Sequence, residues 1–239
     1  MPTVNEDLFK SPRHLPNHLN VSYKKRTIQE RLGAAEWKSY MVATGGGFNA
    51  GGIMGPIELH PGMELWKVTG NALNMGKGTV SEWWCAKNAY KEQTQGLCES
   101  VREAAFNGVP LHVYARIASC IKVEWNTIDN IQIIKLNYPA TALWGKFAPM
   151  TVHDIAAKSN PQYWTPKHDA ILEDMRVRGY DLDDPIGDAW LGGMDAYQLF
   201  IPGLLGEHVT KLYEAPSEQN ELIAKYLGIV LPKAFEWRT

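Results

Sequence analysis

The amino-acid sequence predicts an α+β fold, because helical and strand periodicities both occur and no strand–helix–strand unit repeats along the chain. Apolar residues recur with the helical period over 90–108, and a Thr-Pro start and a closing glycine predict a helix over 165–179. Strand character is found at 63–68, where apolar and polar residues alternate, and at 130–136, which is rich in β-branched residues. The 239 residues, 45% of them hydrophobic, are enough for one domain with a complete core.

The N-terminal part of the chain is predicted to be an extension with one helix. Residues 1–20 contain three prolines and no period, as is typical of an arm. A Thr-Ile-Gln-Glu capping box starts a helix at Thr27, and the glycine-rich segment 45–55 ends it. We therefore expect an arm and helical extension over 1–55 and a main domain over 56–239.

The other elements of the main domain follow from local patterns. The helix over 90–108 should end at Gly108, and that over 165–179 begins with Thr-Pro. A β-branched and aromatic stretch predicts a strand over 111–123. Late in the chain we expect a strand after the pair Gly192-Gly193 that runs to about Pro202, a strand over 204–213 and a helix over 217–227.

Charge and composition exclude several classes of protein. The net charge of −2 provides no positive field for general nucleic-acid binding, although 151–200 holds four basic and nine acidic residues, a local balance of −5. The three cysteines do not have zinc-site spacing and are expected to be reduced thiols. No apolar run is long enough to span a membrane, and residues 1–20 lack a secretion core, so the sequence predicts a soluble protein without a Sec-type signal.

Common catalytic motifs are absent or incomplete. The segment at Gly76-Lys77 lacks the spacing of a phosphate-binding P-loop, and the glycines of 45–55 lack the G-x-G-x-x-G spacing of a dinucleotide fold. Neither G-x-S-x-G nor H-E-x-x-H occurs, and we expect no metal. His112 and Cys120 fall on one predicted strand, where core and edge positions explain them better than a catalytic dyad.

The chain is rich in glycine and tryptophan, with 21 glycines and nine tryptophans. Candidate site residues are spread over three of its segments. A strand carries the cation Lys67, the serine Ser81 is followed by Trp83 and Trp84, and a late strand carries Gln198. Each part also has an ordinary interpretation: a solvated lysine, core aromatics and a glutamine with satisfied hydrogen bonds.

The order of these elements resembles that of the ADP-ribosyltransferase-like superfamily, over residues 58–215. Segment 59–67 is similar to the first strand of that family, with lysine where arginine is usual, and the Ser-Glu-Trp-Trp segment at 81–84 is similar to the second. The glycine pair and strand of 192–203 are similar to the third. The resemblance implies a split antiparallel β-sheet with flanking helices, which binds NAD in the cleft between its two parts.

Within this superfamily, glutamine at position 198, where most transferases carry glutamate, is similar to the NAD glycohydrolase toxins of the tuberculosis necrotizing toxin type. The resemblance implies that NAD is a substrate rather than a bound cofactor. It also implies a set of site residues. Those for catalysis are Gln198 and Ser81, and those for NAD binding are Lys67, Trp83, Trp84 and Tyr197.

The chemistry of these residues favours hydrolysis over transfer. The nicotinamide of NAD departs as a neutral molecule and needs no general acid, while a glutamine cannot deprotonate an acceptor. We therefore expect an NAD glycohydrolase. By the resemblance it is a toxin or effector that depletes NAD in the cytoplasm of a target cell, with an immunity protein in the producer. The first alternative is a mono-ADP-ribosyltransferase acting on a protein or nucleic acid, and the second is a non-enzymatic binding domain.

Overall fold

The computed structural model describes residues 2–10, 56–73, 75–76, 78–91, 93, 95–147, 150–162, 164–180, 182, 190–191 and 196–231. The helices are α1 (Glu6–Lys10), α2 (Leu97–Phe106), α3 (Leu111–Ala118), α4 (Ile155–Lys158), α5 (Pro166–Val177) and α6 (Asn220–Leu227). The strands are β1 (Pro56–Leu59), β2 (Glu64–Thr69), β3 (Trp83–Ala86), β4 (Asn130–Leu136), β5 (Ala140–Lys146), β6 (Met150–Thr151), β7 (Trp190–Leu191), β8 (Tyr197–Phe200) and β9 (Val209–Pro216).

In the described part of the chain, seven strands form one curled antiparallel sheet in the order β1-β5-β8-β3-β2-β4-β9, while β6 and β7 form a separate pair. The α+β class is therefore confirmed. Strand β3 connects the two parts of the sheet, because it changes partner along its length. Trp83 and Trp84 pair with β8, whereas Cys85 and Ala86 pair with β2.

Side chains alternate between the two faces of this sheet, and each face has its own apolar core. The front face is the one that carries Leu65, Trp84 and Leu199, which belong to one buried cluster. The back face carries Trp66 and Cys85, which are buried together with residues of α2 and α3. The two helices thus cover the back face next to β2.

Two predictions in the middle of the chain are wrong. The predicted strand over 111–123 is the helix α3, which follows Pro110 in extended conformation and buries Leu111 and Ala115 against the back face. Its β-branched residues suggested a strand, but the packing of a helix against the sheet decides the conformation. The predicted helix over 90–108 begins only at Leu97, because the residue before it, Gly96, has an extended backbone conformation.

Most of the remaining predicted elements are confirmed. Strands at 63–68 and 130–136 are β2 and β4, and the helices at 165–179 and 217–227 are α5 and α6, which lie inside the predicted limits. The strand predicted between the pair Gly192-Gly193 and Pro202 is β8, which is shorter than expected and covers Tyr197–Phe200. The strand expected over 204–213 begins later, at Val209, after a 3-10 turn over Gly206–His208.

Strand β5 was not predicted, since its sequence ATALWGK contains only one β-branched residue and includes glycine. The predicted helix over 27–44, the glycine-rich loop 45–55 and the pair Gly192-Gly193 lie outside the described residues. Among the helices that the structure describes, none has the length and apolar character needed to cross a lipid bilayer.

Candidate functional site

Lys67 is a half-buried cation on the front face of β2. Its ammonium group lies over the indole ring of Trp84, with the Nζ atom 4.7 Å from the ring centroid. Within the described residues no carboxylate forms an ion pair with it. Burial without a counter-charge lowers the pKa of Lys67 to about 8. Such a cation is suited to binding an anion, because a ligand supplies the charge that the protein does not.

Trp84 holds Lys67 in place and is not an open stacking platform. Its side chain is 1% exposed, and its Nε1–H donates a hydrogen bond to the carbonyl oxygen of Ser81 at 2.6 Å. The Ser81 hydroxyl in turn accepts a hydrogen bond from the backbone N–H of Trp83 at 3.3 Å. The structure therefore brings three of the predicted site residues, Lys67, Trp84 and Ser81, together at the beginning of β3.

The position of Lys67 follows from the change of partner in β3. The pairing between β2 and β3 covers Leu65 with Ala86 and Trp66 with Cys85. Lys67 is the next residue of β2, beyond this paired stretch, where the N-terminal half of β3 pairs with β8 instead. Lys67 thus lies where the two parts of the sheet separate.

The structure does not bring Gln198 to the face of Lys67. Tyr197 and Leu199, its two neighbours in β8, belong to the front-face cluster with Trp84, and Leu199 is the direct cross-strand partner of Trp84. Because side chains alternate along a strand, Gln198 points to the back face. It is 3% exposed. Lys67 and Gln198 are therefore separated by the sheet, and the predicted set of six residues does not form one site.

The other two predicted aromatic residues are on different faces as well. Trp83 contacts Phe200 with a distance of 4.7 Å between ring centroids, and both residues occupy back-face positions of their strands. Tyr197 stacks on Trp144 at 5.0 Å in the front-face core and is 8% exposed. Trp83 and Tyr197 therefore lie on opposite faces of the sheet.

Gln132 is a polar residue near Lys67 that the sequence analysis did not select. It is the direct cross-strand partner of Lys67 on β4, so the two side chains share the front face. Gln132 is 1% exposed, and its Nε2 donates to the carbonyl oxygen of Asn71 at 2.7 Å and to Oε1 of Glu214 at 2.8 Å. Its buried Oε1 has no hydrogen-bond donor among the described residues.

Like the strand that carries Gln198, the β4 sequence NIQIIKL places a glutamine among apolar residues. This pattern could have identified Gln132, but one sequence does not show which of two such residues faces a cation.

The segment after β2 passes over this part of the front face. Gln132 binds the carbonyl oxygen of Asn71, and the backbone N–H of Leu73 donates to Oε1 of Glu214 at 3.1 Å. Burial acts to raise the pKa of Glu214, but the hydrogen bonds that its carboxylate accepts from Lys211, Gln132 and the backbone N–H of Leu73 hold this pKa below its usual value. Glu214 is therefore an ionised anchor for this segment.

Glu82 is a second carboxylate close to the predicted residues in sequence. It is half-buried next to Ser81, and burial raises the pKa of its carboxyl group. Glu82 directly precedes β3, and its backbone carbonyl oxygen accepts a hydrogen bond from the backbone N–H of Ile201. Glu82 and Lys67 do not form an ion pair, so the carboxylate does not neutralise the cation.

Comparison with known proteins gives no match to a protein-family model, to a curated protein or to a solved structure. Among the residues that the structure describes, no group of three or more His, Cys, Asp or Glu side chains is arranged to hold a metal ion.

Proposed function

We propose that this chain is an NAD-consuming enzyme that hydrolyses the bond between nicotinamide and ribose, and that the phosphates of NAD bind at Lys67. The observation that carries the proposal is a half-buried ammonium group without a carboxylate partner among the described residues, placed where β3 changes its pairing from β2 to β8. The three elements that carry the sequence resemblance are adjacent in this sheet, in the order β8, β3 and β2. This adjacency supports the proposal, although Gln198 of β8 lies on the opposite face of the sheet from Lys67 of β2.

The reaction needs little from the protein beyond orientation and electrostatics. The bond between ribose C1′ and the nicotinamide nitrogen breaks, and its electron pair leaves with nicotinamide, which becomes neutral. Water then attacks C1′ and loses a proton to the solvent, which gives ADP-ribose. The protein must hold the ribose while positive charge develops on it, and a fixed phosphate provides that hold.

Lys67 fits the phosphate role by charge, and its contact with Trp84 fixes its direction. A lysine provides a point charge and not the two-pronged contact of an arginine, so it binds phosphate with less geometric selectivity. Gln198 lies on the back face, so the proposal does not place it against the same ligand.

The experiment that tests this proposal is product analysis after incubation of the full chain with NAD. We expect free nicotinamide and ADP-ribose in equal amounts. ADP-ribose attached to the protein or to an added acceptor, in place of free ADP-ribose, would instead support the transferase alternative.

Variants of this chain locate the site. Lys67→Met should lose activity, whereas Lys135→Met, at another half-buried lysine of the same sheet, should retain it. If Gln198→Ala loses activity while Lys67→Met keeps it, the substrate binds on the back face and the assignment to Lys67 is wrong. If the wild-type chain releases no nicotinamide, the proposed function is wrong.

A further inference from the structure

We propose that Gln132 is a ligand-binding residue, whose amide oxygen accepts a hydrogen bond from a hydroxyl group of a ribose phosphate held by Lys67. The inference rests on the proposed function in taking NAD as the source of that ribose phosphate. It names a second contact in the same site.

The orientation of the Gln132 amide is fixed by its neighbours. The carbonyl oxygen of Asn71 and the carboxylate of Glu214 are both acceptors, so the NH₂ group must point toward them. Rotation of the amide by half a turn would bring three oxygen atoms together. The oxygen atom of Gln132 is therefore directed away from these two partners.

That oxygen is a buried acceptor to which no described residue donates. A buried polar atom without a partner is costly, and such atoms are rare in folded proteins. Gln132 already uses both hydrogen atoms of its NH₂ group, one for the carbonyl oxygen of Asn71 after β2 and one for the carboxylate of Glu214 in β9, and these bonds do not depend on its oxygen. The unused acceptor is thus separate from the structural role of the side chain.

Gln132 and Lys67 present complementary groups side by side. They are direct cross-strand partners, and Cβ atoms of such pairs are about 5 Å apart. Lys67 can donate hydrogen bonds but cannot accept one, whereas the Gln132 oxygen can only accept. A ligand that satisfies both must carry an acceptor with negative charge next to a donor. A phosphate and a sugar hydroxyl on one ribose provide this combination, whereas inorganic pyrophosphate has no sugar hydroxyl.

The test compares the binding of two probes, ADP-ribose and inorganic pyrophosphate, by calorimetric titration of the full chain. We expect Gln132→Met to weaken ADP-ribose binding about tenfold and to leave pyrophosphate binding unchanged. Retained pyrophosphate binding also shows that the variant is folded around Lys67. Glu214→Ala removes one bond from the Gln132 NH₂ group and leaves its oxygen in place, so this variant should keep most of the affinity for ADP-ribose.

Several outcomes would overturn the inference. Equal losses of ADP-ribose binding in the two variants would mean that Gln132 only anchors the segment at Asn71. Equal affinity of Gln132→Met and wild type for ADP-ribose, or no binding of ADP-ribose by the wild type, would also contradict it. If ADP-ribose binds as expected but NAD is not cleaved, the proposed function fails while the inference stands. If NAD is cleaved equally by wild type and Gln132→Met, the inference fails while the proposed function stands.

Discussion

At the scale of single residues, Lys67 should lower the stability of the fold. Its ammonium is half-buried, and a cation–π contact with Trp84 replaces only part of its hydration. The folded state releases the proton near pH 8, whereas an unfolded lysine keeps it to about pH 10.5. Between these values the unfolded chain binds more protons, so the stability of the wild type rises with pH.

We therefore predict that Lys67→Met increases the free energy of unfolding at about pH 7 by about 1–2 kcal/mol, after allowance for solvent screening. The gain should shrink as pH rises from about 8 toward 10.5, since the wild-type lysine is neutral in the folded state there. Urea unfolding of both proteins across this pH range measures the difference. Lys135→Met, which replaces another half-buried lysine of the same sheet, is the matched control. A constant difference between Lys67→Met and wild type would show that Lys67 is not desolvated.

Binding of an anion at Lys67 should depend on pH in the opposite direction. Deprotonation above about pH 8 removes the charge, so the affinity for ADP-ribose should fall by up to about tenfold for each further pH unit. The Lys67→Arg variant should keep its affinity over the same range, because a guanidinium group stays protonated. Calorimetric titration from about pH 7 to about pH 10 measures this. If the wild type binds equally well across that range, Lys67 does not bind the phosphates.

Arg116 is a buried cation with a structural role. It is 2% exposed, and its guanidinium group donates to the carbonyl oxygens of Ile121 and Asn126 at 2.9 and 2.8 Å. We predict that Arg116→Met lowers the free energy of unfolding by about 2–4 kcal/mol, because both carbonyl groups lose a charged donor. Arg102→Met, at an exposed ion pair, should cost less than about 1 kcal/mol in the same unfolding measurement. Equal effects would exclude this role.

At the scale of elements, two glycines at the ends of α2 are needed for different reasons. A Cβ atom on Gly96, before the helix, would lie 2.5 Å from the carbonyl oxygen of Lys87. At Gly108, after the helix, a Cβ atom would meet no other atom within 4 Å, but the backbone has a φ of +68°. A side chain at position 96 is excluded by lack of space, whereas at position 108 it is disfavoured by the left-handed backbone conformation.

We predict that Gly96→Ala lowers the free energy of unfolding by about 2–3 kcal/mol, because backbone must move to admit the methyl group. Gly108→Ala should cost about 1 kcal/mol, the typical cost of a left-handed conformation for a residue with a side chain. Thermal or urea unfolding of the two variants compares them. A larger loss for Gly108→Ala would contradict this explanation.

Sequence patterns predicted the elements where local and tertiary preferences agree. The alternation in β2 and the Thr-Pro start of α5 are local signals that packing does not oppose. The segment Leu111–Ala118 has β-branched residues and still forms a helix, because its apolar stripe packs on the back face. Strand β5 is the opposite case. Its alanines and glycine do not favour a strand locally, and it forms one because it pairs with β1 and β8 on either side.

The candidate site could be predicted only in part, since the faces of strands depend on register. In the structure Lys67 contacts Trp84, and Trp84 donates a hydrogen bond to the carbonyl oxygen of Ser81. The sequence could not show that Gln198 lies on the back face, opposite Lys67. A shift of one residue in strand register exchanges the two faces of a strand, and the register is not visible in the sequence. Gln132 was missed because its pairing with Lys67 is a contact between strands far apart in sequence.

In the molecule as a whole, strand β3 joins two halves of the sheet, one formed by β1, β5 and β8 and the other by β2, β4 and β9. The front-face core extends across β8, β3 and β2, whereas the back face next to β2 is covered by α2 and α3. Lys67 is at the point where β2 leaves the pairing with β3, so movement between the halves would change its surroundings. A ligand that bridges this point should hold the two halves together.

The proposal that NAD binds and is cleaved at Lys67 is tested by the initial rate of nicotinamide release. The rate is measured at about pH 7, where the lysine is charged, for the wild type, Lys67→Met and Lys135→Met. We predict that Lys67→Met is at least about tenfold slower than the wild type, while Lys135→Met is unchanged. Equal rates for Lys67→Met and wild type, or no nicotinamide release by the wild type, would contradict the claim.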